Sequence, residues 1–186
     1  MAEKGQPLPT QPSLVGKNIF LRPTTAEDII NIHVWFMQSE PQAQSERPIK
    51  FRTPAEAAEA FKNQEKSTDR QAFTIVRKED KIPVGQITFF NYNPLNRSAE
   101  LGILIDPDER KNGHAADAMR VLIKYLFKYR DLNKVHASTA KFNKAAVALL
   151  ESVGFKKDGA LRNHHFYNGE YYDKLVYSML RFELDW

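Results

Sequence analysis

Apolar and polar residues alternate with the period of a β-strand between Ser98 and Ile105, which predicts a strand with one buried face. Asp106 and Pro107 end that strand, and a short polar loop follows it. Beyond the loop, apolar residues recur at the spacing of one helical face: Met119, Leu122, Ile123, Leu126 and Phe127. The pattern therefore predicts a strand, a loop and an amphipathic helix that packs on a sheet.

The same patterns divide the rest of the chain into strands and helices. Further strands are predicted over 14–22, 71–77, 82–91, 134–139, 161–166 and 171–182. Capping-box sequences at 24–27 and 53–56 begin two helices. Another helix runs from Asn143 to Gly154, where glycine suits a left-handed C-terminal residue. The Asn-Gly pair at 168–169 predicts a two-residue hairpin turn.

Composition narrows the class of protein. The 186 residues, 42% hydrophobic and 27% charged, suit a single globular domain over 14–186, after a proline-containing tail, 1–13, that we expect to be disordered. The absence of cysteine excludes disulfides, cysteine-ligated zinc and a thiol nucleophile. The chain has neither a membrane-spanning apolar run nor a signal-peptide core, so we expect no membrane partner and a cytoplasmic location. The net charge of +4 favours anionic partners.

The loop after the central strand has the composition of an anion-binding site. Arg110 and Lys111 add positive charge, and Gly113 lets backbone amides turn toward one point ahead of the helix. A helix N-terminus carries a partial positive charge and several unsatisfied donors, which suits phosphate oxygens. The lysine and hydroxyl pair of a P-loop is missing. The alternative is a solvated turn in which Gly113 eases a tight bend.

Two motifs in this order resemble the GCN5-related N-acetyltransferase (GNAT) superfamily. The first, Arg/Gln-x-x-Gly-x-Gly/Ala at a helix start, holds the acyl-CoA pyrophosphate in that family, and the second is Asn-x-x-Ala/Ser followed by Gly-Phe. The matching residues are Arg110, Gly113, Ala115, Asn143, Ala146, Gly154 and Phe155. Segments 16–23 and 167–173 resemble the branch of ribosomal-protein and spermidine N-acetyltransferases.

The resemblance implies an α+β fold in three layers. Its sheet would be mixed, mostly antiparallel and seven-stranded, with a splayed parallel central pair and about four helices. Acetyl-CoA would be the co-substrate, without a metal, and its pantetheine arm would enter the wedge between 101–105 and 134–139. The implied cofactor-binding residues are Leu104, Ile105, Arg110, Lys111, Asn112, Gly113, His114, Ala115, Asn143 and Ala146. Asn143 has two compatible roles, as a helix cap and as a hydrogen-bond partner of the pantetheine.

The resemblance also suggests residues for direct acetyl transfer to an amine. Glu100 is the candidate general base, because it is the only carboxylate within the central strand and one water could relay a proton to it. The alternative for Glu100 is a strand-edge charge paired with Arg97 or a lysine. Leu150 occupies the position where many relatives have a tyrosine proton donor, so a C-terminal tyrosine, Tyr172, or water would protonate the thiolate.

The resemblance also suggests which residues bind the acceptor. Residues 37–52 would wall the acceptor site or serve as a plain surface linker, and the candidate acceptor-binding residues are Trp35, His164 and Tyr167. Trp35 also suits a core or rim position, and His164 and His165 face opposite ways in a strand. Two neighbouring histidines without further ligands do not make a metal site.

Several acceptors and two other classes of protein remain open. Among the possible acceptors, a protein or peptide N-terminus ranks first. A polyamine ranks second, because a polycation needs an acidic pocket and no acidic cluster is evident, and an amino sugar ranks third. One other class is an acyl-CoA-binding module without turnover, consistent with Leu150 and Ala146. The second, an RNA-binding protein, lacks aromatic residues interleaved with basic ones on one sheet face, so nucleic acid is not favoured. A homodimer is left open.

Overall fold

The strands and helices follow one another in the order that the hydrophobic pattern predicts. The computed structural model describes residues 14–40, 43, 48–64 and 67–184, and the predicted tail lies outside these ranges. The strands are β1 (Ile19–Pro23), β2 (Gln71–Arg77), β3 (Pro83–Asn93), β4 (Ser98–Ile105), β5 (Lys134–Ala140), β6 (Lys156–Tyr167) and β7 (Glu170–Leu180). The helices are α1 (Ala26–Gln38), α2 (Pro54–Gln64), α3 (His114–Tyr129) and α4 (Lys144–Val153). Within the described ranges, no helix is long and apolar enough to cross a membrane.

In the described part of the chain, the strands form one mixed sheet in the order β1-β2-β3-β4-β5-β7-β6. Neighbouring strands are antiparallel except β4 and β5, which run parallel. The parallel ladder joins 98–100 to 134–136, although both strands continue beyond it. The strands therefore separate after Glu100, and the predicted seven-stranded sheet with a splayed parallel pair is confirmed.

The core lies between the sheet and the predicted apolar face of α3. The five apolar residues of that face are each at most 2% exposed: Met119, Leu122, Ile123, Leu126 and Phe127. They belong to the same buried cluster as Ala99 and Leu101 of β4. Burial of each large aliphatic side chain stabilises the fold by about 1.5–3 kcal/mol. On the opposite face of the sheet α1 packs against β3 and β4, and α2 packs on α1, which completes the predicted three layers.

The Asp117 carboxylate fastens the start of α3 to the segment before β1. It accepts hydrogen bonds from the backbone amides of Lys17 (3.0 Å), Asn18 (2.7 Å) and Ile19 (3.3 Å). A Cβ at Gly16 would lie 2.5 Å from Asp117 Oδ1, so any larger residue there would displace this carboxylate. Because these amides bind the Asp117 carboxylate, it does not occupy the N-terminus of α3, which stays available to another anion.

The capping box of α1 lies one residue later than predicted. Thr25 is the N-cap in place of Thr24, and Asp28 closes the box in place of Glu27. Asp28 N donates to Thr25 Oγ1 (3.3 Å), and Thr25 N donates to Asp28 Oδ2 (2.9 Å). The shift arises because the Asp28 carboxylate also binds Arg22 of β1, a long-range contact that the local spacing does not reveal.

Most other predicted boundaries are confirmed, but β1 and β6 differ. Strand β1 begins at Ile19, five residues after the predicted start at residue 14. The box at 53–56 precedes α2, and the Asn-Gly turn at 168–169 joins β6 to β7. However, β6 begins at Lys156, well before the predicted start at residue 161. Most side chains of β6 are exposed on both faces, so no hydrophobic alternation marks this strand. Its backbone pairing with β7 is what defines it.

A buried polar network joins α1 to the sheet around Asp28. The Arg22 guanidinium donates to both oxygens of the Asp28 carboxylate at 2.5 and 2.7 Å, and Thr74 Oγ1 donates to Oδ2 at 2.9 Å. Burial tends to raise the pKa of Asp28, but the hydrogen bonds from Arg22, Thr25 and Thr74 outweigh it, so the pKa lies below its ordinary value. The ionised carboxylate therefore stabilises the folded protein.

We expect Asp28→Asn to lower the free energy of unfolding by about 3 kcal/mol at neutral pH, because Arg22 loses its charged partner in a buried setting. A lowered folded pKa contributes stability above the unfolded pKa of about 3.9, and this contribution is lost as the pH falls through the folded pKa. The difference between wild type and variant should therefore shrink below about pH 4. Urea unfolding at several pH values measures it.

The neighbouring variant Glu27→Gln is the matched control, since Glu27 is exposed in the same helical turn. It should change the free energy of unfolding by less than about 0.5 kcal/mol at every pH tested. An equal loss in both variants would contradict the role given to the Asp28 network.

Candidate active site

Glu100 lies at the point where β4 and β5 part. Its Oε1 accepts a hydrogen bond from Ser138 Oγ of β5 (2.9 Å), and its Oε2 accepts one from Asn91 Nδ2 of β3 (3.0 Å). The carboxylate thus spans the apex of the wedge between two neutral donors. Arg97, the predicted alternative partner, pairs with Asp131 instead (3.0 Å). The geometry therefore agrees with a carboxylate whose position is fixed by neutral donors and whose charge is not neutralised by Arg97.

His136 lies beside Glu100 and was missed by the sequence analysis. The two residues are direct partners in the parallel ladder, so their side chains emerge on the same face of the sheet. Burial lowers the pKa of His136 below its ordinary value, against the raising effect of the Glu100 charge. The imidazole is therefore neutral at neutral pH. Alternation along β5 puts His136 and Ser138 on one face, which is the signal that could have identified both.

The N-terminus of α3 presents backbone N–H donors that have no acceptor within the helix. Gly113 is the N-cap, with φ of 79° and no side chain to cap the helix. Asp117 N donates to Gly113 O (3.1 Å), so the amides of 114–116 have no acceptor within the helix. The helix start can therefore hold anionic oxygens with its backbone.

The side chains of the loop point mostly toward protein groups. Arg110 Nη2 donates to Ser39 Oγ at the C-terminus of α1, and Asn112 Nδ2 approaches Glu109 Oε2 (3.5 Å). The His114 ring is buried, with Nε2 3.6 Å from the same Glu109 oxygen. Lys111 is exposed, with a left-handed φ of 65°. An anion at this helix start would thus meet the backbone amides of 114–116 and the charge of Lys111 more than side-chain hydrogen bonds.

The residues of the second motif cap and close α4. Asn143 Oδ1 accepts a hydrogen bond from Ala146 N (3.1 Å), which confirms the predicted helix cap. Gly154 ends the helix in the left-handed conformation, with φ of 105°, as predicted. Leu150 is buried on this helix, so the position that carries a tyrosine in many relatives is part of the core.

A cavity of about 370 Å³ lies between α1, α2 and the sheet. The sheet contributes Gly102, Ile103 and Leu104, the part of β4 that follows Glu100. The helices contribute an apolar wall: Ile29, Ile32, Phe36, Ala57, Ala60 and Phe61. The polar lining consists of His33, Arg52, Arg70, Gln86 and Thr88. The cavity therefore reaches the same stretch of β4 that borders the wedge.

None of the three predicted acceptor residues is among the described residues that line this cavity, and their role in binding the acceptor stays a prediction. Trp35 does not line the cavity, and its carbonyl accepts a hydrogen bond from Ser39 Oγ (2.6 Å). His164 is exposed on β6, whereas His165 is 2% exposed, which confirms that they face opposite ways. Tyr167 OH donates to Glu40 Oε2. Arg52, within the predicted 37–52 wall, does line the cavity, and 41–42 and 44–47 lie outside the described residues.

Tyr172 belongs to an aromatic cluster at the end of the β6–β7 hairpin. Its ring packs edge-on against Phe142, with centroids 4.8 Å apart, and its hydroxyl donates to Glu170 Oε2 (2.7 Å). This hydrogen bond raises the pKa of Tyr172. The hydroxyl would have to leave Glu170 before donating elsewhere, and the catalytic role of Tyr172 stays a prediction. Among the described residues, no group of three or more histidine, aspartate or glutamate side chains is placed to hold a metal ion.

Comparison with known proteins identifies the family. A family model described as an acetyltransferase (GNAT) domain matches residues 18–156, most of the chain. The chain therefore belongs to the GNAT acetyltransferase family, which confirms the predicted family and the enzyme class that it defines.

Individual relatives agree with this membership. The uncharacterized N-acetyltransferase YoaA of Bacillus subtilis is 34% identical over 107 residues, which cover 58% of this chain and 60% of YoaA. The putative ribosomal N-acetyltransferase YdaF of the same organism is 34% identical over 99 residues, 53% of this chain and 54% of YdaF. The matches thus span little more than half the length of these relatives.

A solved structure shows the same fold. The spermidine N-acetyltransferase of Vibrio cholerae, in complex with CoA and spermine, superposes with a TM-score of 0.81. It is 24% identical, and the alignment covers 89% of this chain and 97% of that chain. At this level of identity, the similarity supports the fold alone.

Proposed function

We propose that the chain is an acetyl-CoA-dependent N-acetyltransferase that acts on a primary amine by direct attack in a ternary complex. The observation that carries the proposal is the wedge between β4 and β5, with Glu100 at its apex and an uncapped helix start nearby in the chain. Acetyl-CoA supplies an activated acetyl thioester. The protein's own residues bind, orient and accept protons.

The residues present fit the anionic end of this co-substrate. The amides of 114–116 are unsatisfied within α3, and Lys111 adds positive charge. An added Cβ at Gly113 would meet no heavy atom within 4 Å in the described part of the chain, so the approach to these amides is open. We assign the pyrophosphate to this helix start. We assign the pantetheine to the wedge, beside Leu104, Ile105, Asn143 and Ala146.

Glu100 is proposed to accept the proton of the attacking amine, directly or through one water. Ser138 and Asn91 hold its carboxylate from both sides, which fixes its position without neutralising its charge. Neutral His136 beside it adds no competing positive charge at neutral pH. The leaving thiolate takes its proton from water or Tyr172.

The proposed acceptor is the N-terminus of a peptide or protein. The putative ribosomal activity in the name of YdaF supports this choice. A polyamine is the second candidate, because a structural neighbour binds spermine. An acyl-CoA-binding module without turnover is the remaining alternative, consistent with the buried Leu150.

Thiol release in the presence of acetyl-CoA and a panel of N-terminal peptides, polyamines and amino sugars tests this function. We expect acetyl-CoA to bind and thiol to be released only with an accepted amine. Binding of acetyl-CoA without thiol release by any amine would contradict the proposed activity and favour the module without turnover.

A further inference from the structure

His136 lies in a row of polar side chains that crosses four strands on one face of the sheet. Glu100 of β4, His136 of β5 and Ser178 of β7 are successive partners in the sheet ladders. Such partners lie side by side on strands about 4.8 Å apart, with their side chains on the same face. Ser178 Oγ donates a hydrogen bond to Asp158 Oδ1 of β6 (2.9 Å), which extends the row to the last strand of the sheet. The imidazole of His136 therefore has a carboxylate on either side of it in the row.

The two carboxylates differ in what balances their charge. Asp158 is paired with a cation, because Lys134 Nζ lies 2.7 Å from its Oδ2. Glu100 accepts its hydrogen bonds from Ser138 and Asn91, which are both neutral. A positive charge on the imidazole would therefore interact most favourably with Glu100, the directly adjacent residue of the parallel pair.

The charged groups that face His136 set the pH at which it ionises. Burial lowers its pKa most strongly, the charges of Lys134 and Lys174 lower it further, and those of Glu100 and Asp158 raise it. The resulting pKa lies below the ordinary value of about 6.5. His136 is therefore neutral at neutral pH and gains its charge in acidic solution.

A protonated imidazole beside Glu100 changes the chemistry of the carboxylate. An imidazolium has two N–H donors, so it can bind the carboxylate through a charge-assisted hydrogen bond. At about 5 Å and an effective dielectric constant of about 20, its charge lowers the proton affinity of a carboxylate roughly ten- to a hundredfold, the lower figure allowing for screening by solvent. A carboxylate bound in this way is a poor acceptor for the proton of an amine.

We propose, on the basis of the function proposed above, that His136 is a pH-sensitive switch on Glu100: its protonation in acidic solution pairs it with the Glu100 carboxylate and suppresses acetyl transfer. Neutral His136 leaves the carboxylate to Ser138 and Asn91, in position to accept the amine proton. His136 acts through Glu100, so it is a positioning residue. The switch restricts turnover to neutral and alkaline conditions.

The pH dependence of kcat/KM tests this switch in the full chain, with acetyl-CoA and the amine that releases most thiol. His136→Gln fixes the neutral state, so it should lose less activity than the wild type as the pH falls from about 8 to about 5. With each protein normalised to its own value near pH 8, we expect kcat/KM of the wild type near pH 5 to be at least about threefold below that of the variant. Protonation of the acceptor amine affects both proteins alike, so the difference isolates His136.

His136→Lys supplies a positive charge throughout this range of pH. Near pH 8 it should have a kcat/KM at least about tenfold below that of His136→Gln, while the dissociation constants of acetyl-CoA agree within about twofold. Arg162→Gln, an exposed position on β6, is the control for loss of a cation and should keep the wild-type pH profile. Circular dichroism and thermal unfolding verify that each variant is folded.

Titration of the histidine side chains by NMR gives a readout that does not depend on turnover. The signal of His136 is identified by its loss in His136→Gln. Because the charge of Glu100 raises the pKa of His136, Glu100→Gln should lower that pKa. Glu79→Gln, an exposed position in the turn between β2 and β3, should leave it unchanged.

The outcomes separate this inference from the proposed function. The same decline toward acidic pH in wild type and His136→Gln, or a pKa of His136 that Glu100→Gln leaves unchanged, would overturn the switch and leave the acetyltransferase intact. Absence of thiol release with every amine at every pH would overturn the proposed function, and the regulatory role of His136 with it, even where NMR shows the two charges to be coupled.

Discussion

Replacing Glu100 by glutamine is expected to lower kcat about 100-fold, while the dissociation constant of acetyl-CoA changes by less than about twofold. Glutamine keeps the shape of the side chain and can still accept the hydrogen bond from Ser138, but it cannot take a proton from the amine. The loss should therefore appear in kcat rather than in binding of the co-substrate. Steady-state thiol release and calorimetric titration measure the two quantities.

Glu79→Gln is the control for this substitution, because Glu79 is exposed in the turn between β2 and β3, away from the wedge. Its kcat should equal that of the wild type. If Glu100→Gln also retains the wild-type kcat at every pH tested, Glu100 is not the base, and neutral His136 becomes the next candidate.

Gly113→Pro should weaken acetyl-CoA binding by about 100-fold or more. Gly113 has φ of 79°, whereas proline fixes φ near −65° and removes the backbone N–H. The substitution therefore turns the amides ahead of α3 away from their common direction and removes one donor. Calorimetric titration with acetyl-CoA measures the loss, and urea unfolding verifies that the variant remains folded.

Gly169→Pro supplies a matched backbone control. Gly169 has nearly the same φ, 82°, in the turn between β6 and β7, and an added Cβ there also meets no described heavy atom within 4 Å. The Gly169→Pro substitution imposes a similar local strain away from the start of α3, and it should leave acetyl-CoA affinity within about twofold of wild type. Unchanged affinity in Gly113→Pro would remove the basis for placing the pyrophosphate at α3.

Local sequence patterns were sufficient to predict the strands and helices around the wedge. Alternation in 98–105 and the apolar face of α3 are consequences of burial on one side, so periodicity identifies them directly. Asn143 and Gly154 act within a few residues of their own positions, and the structure confirms both. The capping box of α1 was predicted one residue early, because Asp28 is held by a residue of another element.

The sequence could not show which residues from distant parts of the chain lie together in the fold. His136 becomes notable only once the register of the parallel pair sets it beside Glu100. The hydrogen bond from Arg110 to Ser39 depends on where α1 ends. His33 and Phe36 of the predicted apolar face of α1 line the cavity, whereas Trp35 does not, and its role in binding the acceptor stays a prediction.

The most direct test of the whole account follows a label from acetyl-CoA to its destination. Isotope-labelled acetyl-CoA is incubated with the protein and the amine that releases most thiol, and mass spectrometry is applied to both acceptor and intact protein. Direct attack within the wedge predicts that the label appears on the acceptor amine and that no labelled protein accumulates during turnover. Label on the protein as an acetyl-enzyme, or thiol release without an acetylated amine, would contradict the account.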